Sequence, residues 1–67
     1  MNRTWRDVQD LARDLVEQYP DADPLTIPHD KLRTMITSLP TFGDEPDAAT
    51  EEILEEIQAA WYEVSEG

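Results

Sequence analysis

The sequence predicts a mainly α-helical domain of three short helices. Three observations carry that reading. Apolar residues recur at i, i+3, i+4 and i+7 in three separate stretches. Prolines interrupt the chain between them, at 20, 24, 28, 40 and 46. Only "LTI" at 25–27 reads as extended, and it is too short for more than one edge strand or link. With 67 residues, 1–67 forms a single domain that buries only about 60% of its unfolded surface.

The first helix is expected to be capped by Thr4, with Asp7 three residues on in the capping-box position. Trp5, Val8, Leu11, Ala12, Leu15, Val16 and Tyr19 form its apolar stripe, and Pro20 ends it. Arg6 with Asp10, and Arg13 with Glu17, are spaced to pair along it. In "YPDADP", Asp21 and Asp23 then sit between two prolines that restrict the backbone and lower the entropy lost on meeting a partner. Asp and Pro are equally ordinary turn residues.

Asp30 is the expected cap of the second helix, which buries Leu32, Met35, Ile36 and Leu39 and stops at Pro40. Phe42 is expected to plug the core from the loop "PTFGDEPDAA". Thr50 caps the third helix, and Glu51 and Glu52 favour its positive end. Its buried face is Ile53, Leu54, Ile57, Ala60, Trp61 and Val64. The second and third helices read as a helix-turn-helix-like pair.

Charge argues against the usual use of such a pair. Sixteen acids face five bases, a net of −11. Through residue 33 there are seven acids and five bases, a net of −2; from 34 on there are nine acids and no base, a net of −9. A field of that sign repels phosphate and anionic membrane and attracts cations or a basic protein face. On the third helix Gln58 is the one conventional base reader, among Glu51, Glu52, Glu55, Glu56 and Glu63.

Enzyme chemistry finds few parts. With no cysteine there is no thiolate nucleophile, disulfide or sulfur-held cluster. His29 stands alone beside Pro28, and Ser38 and Ser65 have no histidine at an arguable position. There is no glycine-rich phosphate loop. The opening "MNRTWRDVQD" has no apolar signal core, and no stretch approaches a membrane span, so the expected location is cytoplasmic.

Carboxylates are the remaining chemistry. Glu51 with Glu55, and Glu52 with Glu56, lie one turn apart, and Asp7, Asp10, Asp14 and Glu17 make a second stripe. Such oxygens suit hard cations, including Mg²⁺, Ca²⁺, Mn²⁺ and iron. "DADPLTIPHDKL" lacks the glycine and terminal glutamate of a calcium loop, so a metal would be held at the surface, weakly, with water completing its shell. A solvated helix face is the alternative.

Taken together, the chain resembles the IscX (YfhJ) family of small acidic proteins of bacterial iron–sulfur cluster assembly. The motifs are Trp5 to Asp7, Tyr19 to Thr26, "FGDEP" at 42–46, and "EEILEEIQAAW" ending at Trp61. The resemblance implies a small modified winged-helix domain with a minimal strand or wing element. It implies a monomeric adaptor and regulator, not an enzyme, that binds the cysteine desulfurase IscS through an acidic face and binds iron weakly. Links to ferredoxin and to a frataxin-type protein that competes for the desulfurase come with it. The matching acids, expected both as partner and as metal residues, are Asp7, Asp10, Glu17, Asp21, Asp23, Asp44, Glu45, Glu51 and Glu55. Gly43 stands where relatives often have another acid, which implies a freer, less charged loop, and Ala49 replaces a serine cap. The alternatives are an iron donor, or an acidic helical interaction module with no metal function.

Overall fold

A computed structural model describes residues 2–66; Met1 and Gly67, the ends of the expected domain, lie outside them. Three helices follow in order: α1, Val8–Gln18; α2, His29–Thr37; and α3, Glu51–Glu66, with a single 3-10 turn at Pro24–Thr26 between the first two. α3 packs chiefly along α1 and also touches the 3-10 turn and α2. The chain folds into 28 × 24 × 16 Å.

One core holds these elements. Leu11, Ala12 and Leu15 of α1, Leu32, Met35 and Ile36 of α2, and Leu54, Ile57, Ala60 and Trp61 of α3 are buried together. Trp5, Leu39 and Ala49 join them from the connecting segments. Apart from Ala49, these are positions that the apolar periodicity selects; Val8, Val16, Tyr19, Ile53 and Val64, which it also selects, are only partly buried against the core. Burying each large side chain contributes about 1.5–3 kcal/mol, and few such residues carry a domain this small. Phe42 packs against this cluster as expected, meeting Trp5 edge to face with centroids 4.8 Å apart.

The helix starts differ from the sequence reading. α1 begins at Val8, not after Thr4, and Asp7 is its N-cap residue. The capping-box half-reaction is nonetheless present: the Asp7 carboxylate accepts from the Thr4 amide at 2.9 Å. It closes a turn before the helix, in which the Asp7 amide donates to the Thr4 carbonyl at 3.0 Å. Trp5 therefore enters the core from that turn and not from the helix. α2 starts at His29 with Pro28 as its cap, so Asp30 lies in the first turn. Thr50 does cap α3, its hydroxyl accepting from the Ile53 amide at 3.3 Å.

"LTI" is not a strand. Pro24, with its fixed φ, opens the 3-10 turn, and the Asp23 carboxylate accepts from the Leu25 amide at 3.1 Å. Among the described residues the β-structure is one parallel bridge, Arg3 with Phe42. It is made by the Arg3 amide on the Thr41 carbonyl at 2.5 Å and the Gly43 amide on the Arg3 carbonyl at 2.9 Å. Residues 38–50, which hold the expected loop, link α2 to α3, and their path back to the N-terminal segment makes that bridge.

Candidate functional site

The nine nominated acids divide by what their oxygens already do. Asp44 is committed locally: one oxygen accepts from the Trp5 amide at 3.3 Å and the other from the Glu45 amide at 2.8 Å. Beside it the Trp5 indole nitrogen donates to the Glu45 carbonyl at 2.6 Å. The early tryptophan and the "FGDEP" loop, distant in sequence, thus form one clamp. Asp7 and Asp23 likewise accept backbone amides, at Thr4 and Leu25. Each of these three carboxylates holds a turn.

Asp10 is paired, but not with the expected base. Arg3, from outside the helix, reaches Asp10 at 3.6 Å and Asp14 at 3.3 Å. Neither Arg6 with Asp10 nor Arg13 with Glu17 forms an ion pair among the described residues. The bridge to Phe42 fixes the Arg3 backbone, and from there its side chain reaches both acids. Asp14 is the more sheltered partner, and it also accepts the Thr41 hydroxyl at 2.7 Å. Asp14 belongs to the acidic stripe of α1 but not to the nine matching acids, and a junction joining residues 3, 14 and 41 leaves no signature in local spacing.

The side chains of Glu17, Asp21, Glu45, Glu51 and Glu55 are exposed and make no hydrogen bond or ion pair among the described residues. Glu52, Glu56 and Glu63 of α3 join them. α3 therefore presents an outer face of uncompensated carboxylates, with no base following residue 33. No group of three or more His, Asp or Glu side chains among the described residues is placed to hold a metal ion.

Two residues have roles that spacing does not reveal. Gln58 is not extended outward as a base reader: its amide donates to the carbonyls of Pro24 and Ile27, tying the 3-10 turn to α3. Gly43 is held by proximity and not left free. A Cβ there would overlap the Asn2 side chain from its Cβ to its amide nitrogen, so something around Asn2 would have to shift. No helix among the described residues is long and apolar enough to cross a membrane.

The fold and the surface define a small, acidic three-helix domain in which α3 turns one face to the core and presents on the other carboxylates that have no partner among the described residues. A family model described as iron-sulphur cluster assembly matches residues 3–66, and an uncharacterised protein of Pseudomonas aeruginosa is 41% identical over 63 residues, covering 94% of this chain and 96% of that one. The chain belongs to that iron–sulphur cluster assembly family, the IscX family, and its role lies in the assembly of such clusters.

Proposed function

We propose that this protein is an adaptor and regulator of cluster assembly that docks by its acidic face onto a basic surface of the cysteine desulfurase IscS. The supporting observation is the outer face of α3, where Glu51, Glu52, Glu55, Glu56 and Glu63 are exposed in a half-chain without a single base. Such a field steers a cationic partner and repels nucleic acid. Glu17, Asp21 and Glu45 extend the charged region, while Asp7, Asp10, Asp23 and Asp44 add to its field from positions already engaged in the fold. A frataxin-type protein or ferredoxin that uses the same basic surface would compete. The protein acts as a cytoplasmic monomer, and α2, α3 and the Arg3–Phe42 bridge are read as a reduced winged helix with a vestigial wing.

Weak iron binding belongs to the same proposal, with the ion as passing cargo. Pairs such as Glu51 with Glu55 supply two hard ligands one turn apart, and water fills the remaining positions. Calorimetry with Fe²⁺ tests this part: heat that saturates only at high iron supports it, and no heat leaves a docking module without metal function.

Docking is tested by a pull-down with the desulfurase across a salt series. Exposed charges are screened over about 8–10 Å at physiological ionic strength, so retention should fall steeply as salt rises. Glu51→Lys with Glu55→Lys should abolish it, and retention indifferent to both salt and charge reversal would refute docking by this face.

A further inference from the structure

We infer that Leu25 and Tyr62 form the apolar anchor of the docking surface, received by a hydrophobic pocket bordered by arginine or lysine on the partner. This inference rests on the docking reading above and names what holds the complex once charge has brought it together. Among the described residues, the large hydrophobic side chains left exposed are Leu25, at 60%, and Tyr62, at 39%. Gln58 relates the two segments that carry them. Gln58 donates to the carbonyls of Pro24 and Ile27, on either side of Leu25, and Tyr62 follows Gln58 by four residues, on the same side of α3. Both are held in advance. Pro24 and the Asp23 carboxylate fix the turn that carries Leu25, and Tyr62 stands on a helix, so little entropy is lost when they are covered.

Charge selects the occupant. Glu51, Glu55 and Glu66 lie on the same arc of α3 as Tyr62, so acids flank it along that helix. A second copy meeting this face through a two-fold axis would set acids against acids. An anionic membrane would be repelled in the same way. A cationic protein surface with an apolar cleft suits both the flanking acids and the apolar pair, the arrangement of an interface whose energy sits in a few central residues.

Association kinetics on immobilised desulfurase separate the parts. Leu25→Ser and Tyr62→Ala should each speed dissociation by about ten-fold or more with association and its salt dependence unchanged, while Tyr62→Phe keeps the parent rate. Glu51→Gln with Glu55→Gln should instead slow association. Circular dichroism of each variant confirms that the helices persist. Dissociation at the parent rate in both anchor variants, with association still slowed by the charge variant, overturns the anchor and leaves docking standing. A parent chain that does not bind at low salt removes docking and the anchor together. A dimer of the parent at high salt that Leu25→Ser abolishes would assign the patch to a second copy and also overturn the proposal.

Discussion

The indole nitrogen of Trp5 donates to the backbone carbonyl of Glu45 at 2.6 Å, across a sequence separation of forty residues. The same tryptophan packs on Phe42, and its own amide is accepted by Asp44. A residue that reads as the start of a helix stripe is therefore the fastener between the N-terminal segment and the α2–α3 connection. Trp5→Phe keeps the ring and loses the donor, leaving a carbonyl to find water. It should cost about 1–2 kcal/mol, whereas Trp5→Ala should cost about 3–5 kcal/mol. Urea denaturation of the two variants checks the difference.

Gly43→Ala should destabilise the protein by about 1–3 kcal/mol, because the new methyl group meets the Cβ of Asn2 as well as its side-chain amide, so turning the amide away does not relieve the overlap. Removing that obstacle with Asn2→Gly in the same chain should return part of the loss. Thermal melts of the single and double variants form a cycle whose coupling is the measured quantity.

Asp14→Ala and Asp10→Ala should differ although both remove a partner of Arg3. Asp14 also accepts the Thr41 hydroxyl and is only 16% exposed, so its loss should cost about 1–2 kcal/mol. Asp10 is 44% exposed with a 3.6 Å contact, so its loss should cost at most about 1 kcal/mol. Chemical denaturation of both variants at one salt concentration provides the comparison.

Gln58→Ala should loosen one turn and leave the helices intact. It frees the carbonyls of Pro24 and Ile27, for a cost of about 1 kcal/mol. Hydrogen exchange should quicken at Leu25 and Thr26 with little change in α1 or α2. The parent and the variant should both fail to retard DNA in a low-salt gel shift, since the outer face of α3 carries the wrong sign.

The helices and their buried faces were legible because periodicity and proline are local signals. Pro20, Pro40 and Thr50 mark boundaries within a residue or two of those observed. The start of α1 was misplaced because Asp7 does reach back to Thr4, as a capping box requires, yet the hydrogen bond closes a turn ahead of the helix. His29 displaced Asp30 at the start of α2 because Pro28 already sets the dihedral angles that a cap needs. The junction of Arg3, Asp14 and Thr41 and the contact of Gly43 with Asn2 are long-range, so only packing reveals them. The acidic face was legible from composition alone; which of its acids are already spoken for was not.

That division has a practical consequence for anyone scanning the acids one at a time. Neutralising Asp44 would unfasten Trp5, and neutralising Asp7 would open the turn before α1, so a binding loss in either variant would follow from the altered fold whether or not a partner touches those oxygens. Only variants whose melting curves overlay the parent's can report on recognition, and Glu17, Glu51 and Glu55 are where such a scan should begin.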